Sequence, residues 1–452
     1  MPVPSNRLLI HAAVIGIPLF TLLGVAEAPV PVLLGIAVFL LLLVGLDAPA
    51  ATSRLQKVRV SMPPVIRTSK GRDFDVPLVI ADKASKLKQI RVGIALPDEL
   101  RAEKQILEFK LTAEKEAYQV AWHVTALERG QFNITAVHVE SSSYMGWWLG
   151  RRAIPLNTEI RVYPDLSHEK NVLAPLFFRR GSIGVHQVRQ IGKGREFEQL
   201  RAYVPGDSYE DIYWKGTAKR RFPVTRMFQL ERTQEVYVVI DCSRRSRRKL
   251  EGFMGDVEAG MVAKTQMERY IQAALLVALA AQHQGDRFGL VVFSDQVQRI
   301  IPAGGGRKHY EAIRDTLYTL HASAASPDFE ELFVQLGNHI RHRALLIFLT
   351  DLAEPWLSES FVEHVALISR RHVVLVHMLG QKEVRPMFGK DDDLDDDNDL
   401  YGRLAGQLMW NDFLETTRLL KQRRVHITSS SQESLVADVV NEYLRVKKRQ
   451  LI

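Results

Sequence analysis

Two carboxylates in this sequence each stand directly after a strongly hydrophobic run. Asp241 closes the first run and Ser243 follows it two positions later, while Thr350 and Asp351 close the second run. Carboxylate and hydroxyl oxygens are the ligands that Mg²⁺ prefers in proteins. If the two runs are strands of one sheet, these four residues could meet at its edge and form a site lined by oxygen atoms.

The C-terminal half of the chain has the order of elements that could bring these residues together. Hydrophobic runs rich in β-branched residues alternate with segments of helical periodicity. We therefore predict an α/β domain over residues 236–452, doubly wound around a central, mostly parallel sheet, where ligands bind at the carboxyl ends of the strands. The predicted strands are 236–240, 288–293, 344–349, 373–379 and 425–428, and the predicted helices are 258–284, 309–320, 329–341, 359–370, 408–422 and one from 433.

The placement of these residues resembles the von Willebrand factor A domain, whose metal-ion-dependent adhesion site reads Asp-x-Ser-x-Ser with a separate Thr and Asp. Position five of that motif is Arg245 here, with Ser246 one residue late, and residues 303–308 contain no threonine. Two neighbouring guanidinium groups would also repel a dication. We expect this degenerate site to bind Mg²⁺ weakly or not at all, and the alternative is that Asp241 and Ser243 cap the following turn.

The N-terminal 50 residues have the composition of membrane helices. Apolar stretches at 8–26 and 30–46 contain 19 and 17 residues, separated by the single charge of Glu27. At about 1.5 Å per residue they approach the hydrocarbon thickness of a bilayer, which predicts a hairpin of two transmembrane helices. A cleaved signal peptide is the competing interpretation, which Pro29 disfavours. Positive residues before and after the hairpin predict that both termini are cytoplasmic, in the inner (plasma) membrane.

Residues 51–165 show short runs of alternating polar and apolar residues, such as 74–80, 90–94, 118–124 and 132–137. A period of two predicts strands, and their spacing predicts an antiparallel β-sandwich without a catalytic constellation. The run Met145-Gly146-Trp147-Trp148-Leu149 is expected to pack in the core or in a loop, although aromatic residues of this kind also occur at the headgroup level of membranes.

Charge and cysteine usage limit the partners of the chain. The 60 basic and 52 acidic residues give a net charge of +8, although seven of the nine residues at 391–399 are aspartate. We predict an acidic surface loop at 390–400. The single cysteine, Cys242, favours a reducing compartment and excludes a zinc site built on several thiolates. The basic run at 244–249 lacks interleaved aromatic residues, so we expect no nucleic acid partner.

The segment 166–235, between the two predicted domains, carries the most specific motif. It resembles the signature of the domain of unknown function 58 (DUF58) family, roughly Gly-x-Glu-Phe, Arg-x-Tyr-x-x-Gly-Asp, Ile-x-Trp and Thr-Ala-Arg/Lys, with Glu210 where an arginine is common. We interpret the motif as a clamp of charged pairs packed around aromatic rings, joining the two domains. The residues of this signature clamp are Arg195, Glu196, Phe197, Arg201, Tyr203, Pro205, Gly206, Asp207, Asp211, Trp214 and Lys219.

The family resemblance implies interaction rather than a known reaction. DUF58 members are membrane-anchored proteins, often encoded beside AAA ATPases of the MoxR type. We therefore expect a scaffold protein that works with such an ATPase, no catalytic residues and no resident cofactor. The alternative is an unrecognised metal-dependent hydrolase that uses Asp241 and Asp351. Phosphate-loop, zincin and nucleophile-elbow motifs are all absent from the sequence.

Overall fold

A computed structural model of the chain describes residues 2–24, 30–81, 87, 89–111, 117–167, 191–192, 196–205, 207–229, 234–250, 265–380, 384 and 397–449. These residues form two compact units. The N-terminal unit comprises Met1–Asp165, and the C-terminal unit comprises Leu166–Gly252 with Ala263–Ile452. Together they give a mixed α/β protein, as the sequence predicts. Residues 168–190, within the predicted linker, and 390–396, in the predicted acidic loop, lie outside the described residues.

Two apolar helices begin the N-terminal unit, α1 (Asn6–Gly24) and α2 (Val30–Gln56). Within the described part of the chain, one helical segment is long and apolar enough to cross a membrane, Pro31–Gln56, with a mean hydropathy of 2.5. The apolar part of α1, Asn6–Leu19, is shorter. A membrane helix at the position of the second predicted span is therefore confirmed as a candidate.

The N-terminal unit continues as two sheets of short strands, in agreement with the alternating pattern. The six-stranded sheet contains β1 (Pro2–Pro4), β3 (Val65–Ser69), β5 (Gln89–Ile94), β7 (Ile106–Lys110), β9 (Gly130–Ser142) and β10 (Trp148–Tyr163). The four-stranded sheet contains β2 (Arg59–Ser61), β4 (Asp73–Ala81), β6 (Leu100–Ala102) and β8 (Ala117–Ala126). Inward-facing residues of both sheets form one hydrophobic cluster, in which Trp122 is 1% exposed.

The C-terminal unit begins with a three-stranded sheet that contains the signature segment. Its strands are β11 (Ile191–Gly192), β12 (Glu196–Ala202) and β13 (Val224–Gln229), in the order β11-β13-β12. Between β12 and β13 lie a 3₁₀ turn, Tyr209–Asp211, and the short helix α3 (Trp214–Arg220).

The second sheet of this unit has six strands in the order β16-β15-β14-β17-β18-β19. All pairs are parallel except β15 with β16, which is an antiparallel edge strand. Central strands are buried on both faces because their β-branched and aliphatic residues contact helices on either side. The strands are β14 (Glu235–Asp241), β15 (Arg287–Phe293), β16 (Val297–Gly304), β17 (Ala344–Leu349), β18 (Val373–Leu379) and β19 (Val425–Ser430).

Helices cover both faces of this sheet. One face packs against α4 (Gln266–Gln284), α5 (Arg307–Leu317) and α9 (Leu435–Lys448). The other packs against α6 (Phe329–His339), α7 (Pro355–Ser369) and the end of α8 (Asp397–Gln422). The predicted end of the long helix at Gly285 is confirmed, since this glycine adopts the left-handed conformation with a φ of 74° and caps α4.

Several helix boundaries differ from the prediction, most at the starts of α4 and α8, and one strand of the six-stranded sheet was missed. Helix α4 begins at Gln266, after the cap of Thr265, whereas residues 258–264 of the predicted helix lie outside the described residues. Helix α8 begins at Asp397, so residues 397–400 of the predicted acidic loop are helical. Strand β16 carries polar residues at its exposed edge, and for that reason its hydrophobic pattern was weak.

Candidate functional site

The parallel pairing of β14 with β17 brings the two predicted strand ends together. Ile240 lies opposite Leu349, so the residues that follow both strands share the carboxyl edge of the sheet. The Thr350 hydroxyl donates a hydrogen bond to Oδ2 of Asp241 at 2.7 Å. The sequence therefore identified two side chains that are in direct contact although they are 109 positions apart.

Asp241 is completely buried, and each of its carboxylate oxygens accepts a hydrogen bond. The backbone N–H of Ser243 donates to Oδ1 at 2.8 Å, and the Thr350 hydroxyl donates to Oδ2, whereas the Ser243 side chain makes no capping hydrogen bond to the following turn. Burial raises the pKa of the Asp241 carboxyl, and these hydrogen bonds offset only part of that rise. The negative charge of Asp351 raises this pKa further.

The turn after β14 is held by Ser246. Residues Arg244–Arg247 form a 3₁₀ turn, and the Ser246 hydroxyl donates to the backbone carbonyl of Asp241 at 2.5 Å. Ser246 is 1% exposed. The serine that stands one position late for the adhesion motif therefore closes the turn, and its hydroxyl points back to the backbone of the strand.

Arg245 lies between two acidic side chains at the same edge. Its guanidinium donates from Nη2 to Oδ2 of Asp351 at 2.9 Å and from Nη1 to Oε1 of Glu354 at 2.5 Å. Asp351 is 2% exposed, and its Oδ1 accepts from the backbone N–H of Ala353 at 3.0 Å. Burial alone would lower the pKa of Arg245, but the two acidic partners outweigh it and raise that pKa.

Sequence reasoning missed two residues of this site. Glu354 stands three positions after Asp351 at the start of α7, where no motif marks it. Tyr270 of α4 is fully buried, and its hydroxyl accepts a hydrogen bond from Gln266 at 2.7 Å. Burial, with a smaller effect from the charges of Asp351 and Asp241, raises the pKa of Tyr270 well above its usual value. Helical periodicity identifies such a tyrosine only as core.

The signature clamp is present in reduced form. Arg201 Nη2 donates to Oδ1 of Asp207 at 2.6 Å, and Oδ2 of Asp207 accepts from the backbone N–H of Val204 at 3.1 Å. The ring of Tyr203 stacks on that of Tyr209, with centroids 6.1 Å apart. These contacts close the turn that contains Pro205.

Other members of the clamp do not take part in this arrangement. Trp214 is 67% exposed at the first position of α3, so the expectation that the clamp packs around this aromatic ring is wrong. Within the described residues, no ion pair is formed by Asp211 or Lys219. Glu196 and Phe197 are the first two residues of strand β12. Arg195 and Gly206 lie outside the described residues.

Comparison with known families agrees with the signature motif. Residues 199–399 match the family model "Protein of unknown function DUF58". This segment contains Asp241, Arg245, Asp351 and the members of the signature clamp from Arg201 to Lys219, and it is similar to the DUF58 family.

Two uncharacterised mycobacterial proteins are similar to this chain. Proteins from Mycobacterium tuberculosis and from Mycobacterium bovis are both 23% identical to it over 196 residues, which is 43% of this chain. The aligned region spans 57% of the length of these relatives.

Two solved structures also resemble parts of the chain. An aerotolerance-related membrane protein from Bacteroides fragilis matches 47% of this chain and 99% of its own, at 13% identity and a TM-score of 0.27. The conserved hypothetical protein BatB from Bacteroides thetaiotaomicron matches 48% and 99%, at 14% identity and a TM-score of 0.29.

Proposed function

We propose that this chain is a membrane-anchored scaffold whose C-terminal unit binds a protein partner through the carboxyl edge of its six-stranded sheet. The observation that carries this proposal is the ion-paired group of Arg245, Asp351 and Glu354 beside buried Asp241. Such a group fixes charged side chains at the edge where α/β sheets bind their ligands. We infer an interaction surface of the von Willebrand A type, and a β-sandwich for the two sheets of the N-terminal unit.

The hydrogen bonds of this group support weak Mg²⁺ binding or none. A full adhesion site leaves carboxylate and hydroxyl oxygens available to the cation, whereas all four carboxylate oxygens of Asp241 and Asp351 accept hydrogen bonds here. The guanidinium of Arg245 also supplies a positive charge that Mg²⁺ would otherwise contribute. These residues fit an internal ion pair better than a hard dication.

The same contacts favour a scaffold over a metal-dependent hydrolase. A hydrolase that used Asp241 and Asp351 would need their oxygens to position a cation or a water molecule. Arg245, Thr350 and two backbone N–H groups already engage those oxygens.

For the N-terminal region we propose a two-helix hairpin in the inner membrane with both termini in the cytoplasm. The candidate span of α2 supports one crossing, and α1 is a second apolar helix of 19 residues. Basic residues follow α2 at its end, which favours a cytoplasmic location for the rest of the chain. The DUF58 match then makes a MoxR-type AAA ATPase the partner to test.

Capture of the purified ATPase by the full-length chain in detergent micelles or nanodiscs tests this proposal. We expect wild type to bind it and Asp351→Asn to bind more weakly, because Arg245 loses its buried partner. Glu311→Gln is the matched control, since Glu311 lies on α5 near the opposite edge of the sheet and pairs with exposed Arg307. Equal binding by wild type and Asp351→Asn would overturn the recognition surface. Hydrolysis of a substrate by wild type that Asp351→Asn abolishes would support the hydrolase instead.

A further inference from the structure

The loop that joins β9 to β10 is attached to the end of the apolar segment of α2. Trp148 Nε1 donates to the backbone carbonyl of Val44 at 2.8 Å. The carboxylate of Asp47, which is 7% exposed, accepts from the Ser143 hydroxyl at 2.5 Å and from the backbone N–H of Met145 at 3.4 Å. The acidic residue that directly follows the apolar run of α2 is thus explained by its contacts with this loop.

Further along, α2 and β10 run in the same direction. Gly150 faces the backbone of Ala51 so closely that a methyl group at Gly150 would overlap the Ala51 carbonyl. Arg152 Nη1 then donates to the carbonyls of Leu55 at 2.8 Å and Gln56 at 2.9 Å, where the helix ends. Strand β10 therefore runs away from the apolar segment of α2, and the loop that precedes β10 lies beside the end of that segment.

The position of the loop along α2 sets its depth relative to a membrane. The apolar run that ends at Leu46 contains 17 residues, or about 26 Å of helix, close to the thickness of a bilayer hydrocarbon core. Its side chains are exposed in the structure, with Leu41 and Leu46 each 71% exposed. The loop contacts α2 at Val44 and Asp47, which is the level where the hydrocarbon would end.

Two large side chains project from this loop. Tyr144 is 75% exposed and Met145 is 53% exposed. The guanidinium of Arg54 lies over the Tyr144 ring, 4.0 Å from its centroid. Tyrosine and arginine are both typical of membrane interfaces, because one part of each side chain is apolar and the other is polar or charged.

Strand β1 holds the loop from its other side. Pro2, Val3 and Pro4 pair with residues 148–150 of β10, and the Ser5 hydroxyl donates to the Gly146 carbonyl at 2.6 Å. Hydrogen bonds to α2 on one side and to residues 2–5 on the other therefore hold the loop. They fix the direction in which Tyr144 and Met145 project.

We propose that this loop, residues 143–147, inserts Tyr144 and Met145 into the headgroup region of the same bilayer that α2 crosses. The proposal rests on the membrane anchoring proposed above, and it adds a second attachment that fixes the N-terminal unit against the membrane surface. The partner of the loop is the lipid interface of this bilayer, because the loop contacts α2 where the apolar segment of that helix ends.

Spin labels at single cysteines test the depth of the loop in the full chain, reconstituted into vesicles of phosphatidylcholine and phosphatidylglycerol. The native Cys242 is fully buried, and burial raises the pKa of its thiol to about 12, so it reacts poorly with labels. The three variants are Met145→Cys at the loop, Leu41→Cys in the span and Val65→Cys as the control. Val65 is 37% exposed and pairs with Glu159. This position is roughly 30 Å along β10 from Gly150 at about 3.3 Å per residue.

We expect collisions with oxygen, relative to a water-soluble nickel complex, to be highest at Leu41, intermediate at Met145 and lowest at Val65. A label at Met145 that behaves like the one at Val65, while Leu41 lies in the hydrocarbon, would overturn the loop insertion and leave the anchor intact. A water-exposed label at Leu41 would overturn the anchor itself. The two failures are therefore distinguishable.

Discussion

Arg245 Nη2 lies 2.9 Å from Oδ2 of Asp351, a carboxylate that is 2% exposed. In the motif that this segment resembles, position five holds a serine and Asp351 would face a cation. The guanidinium neutralises Asp351 from within the chain and also binds Glu354. Arg245 therefore supplies a positive charge at this edge of the sheet, and both the stability of the edge and its response to Mg²⁺ should depend on Arg245.

Arg245→Ala should lower the free energy of unfolding by about 3 kcal/mol, because removing one partner leaves the buried Asp351 charge unpaired. Arg244→Ala is the control. Arg244 is exposed and lies 3.9 Å from Glu354, so its loss should cost no more than about 0.5 kcal/mol. Denaturant unfolding of the full chain in detergent measures both values. Equal stabilities for the two variants would show that the Arg245 pair contributes nothing to folding.

Arg245→Ser should make the chain sensitive to Mg²⁺. This change restores the Asp-x-Ser-x-Ser spacing from Asp241 and removes the competing positive charge, leaving Asp351 free to bind a cation. Ligand binding to the folded state raises the melting temperature, so Mg²⁺ should stabilise the variant and leave wild type nearly unchanged. Thermal unfolding with Mg²⁺ and with a chelator makes the comparison. A large Mg²⁺ shift in wild type would mean that the native site is a working metal site.

Asp241→Asn should change the pH dependence of stability. Burial raises the pKa of folded Asp241 above its ordinary value of 3.8, so its ionisation opposes folding as pH rises from below 3.8 through the folded pKa. The asparagine keeps both hydrogen bonds when its amide oxygen accepts from the Ser243 N–H and its amide nitrogen donates to the Thr350 hydroxyl. The stability of the variant relative to wild type should therefore increase with pH over this window and then level off. Denaturant unfolding of both proteins across this pH range measures the difference, and a difference that stays constant with pH would contradict the raised pKa of Asp241.

The strands of the C-terminal unit could be predicted because each is a continuous apolar run of β-branched and aliphatic residues. The predicted bounds of β17 and β18 are those observed. From these strands it followed that Asp241 and Thr350 share an edge. That Arg245 pairs with Asp351 could be suggested from their opposite charges alone. The contact of Arg245 with Glu354 depends on the direction in which α7 leaves the sheet, and no local sequence pattern encodes that direction.

The N-terminal unit shows the same limit. Alternation along β4 and β8 predicted two strands, since one face of each is buried against the shared core, but not that they pair with each other. Strand β1 has only three residues, two of them proline, and no propensity identifies it.

Trp214, in the C-terminal unit, was misassigned because its exposure depends on the position of a short helix. A tryptophan in a motif of charged and aromatic residues is expected to be largely buried, yet the short helix α3 leaves this side chain exposed.

The exposure of Trp214 predicts that its removal has little effect on stability. Trp214→Ala should change the free energy of unfolding by no more than about 0.5 kcal/mol, because a side chain that is 67% exposed contributes little packing. Trp122→Ala is the matched comparison within the same chain. Trp122 is 1% exposed and its Nε1 donates to the Lys104 carbonyl at 2.8 Å, so its truncation should cost about 3 to 5 kcal/mol. Denaturant unfolding of both variants, followed by circular dichroism, measures the difference. A loss at Trp214 as large as that at Trp122 would mean that the Trp214 ring is buried in the folded protein, as the signature motif first suggested.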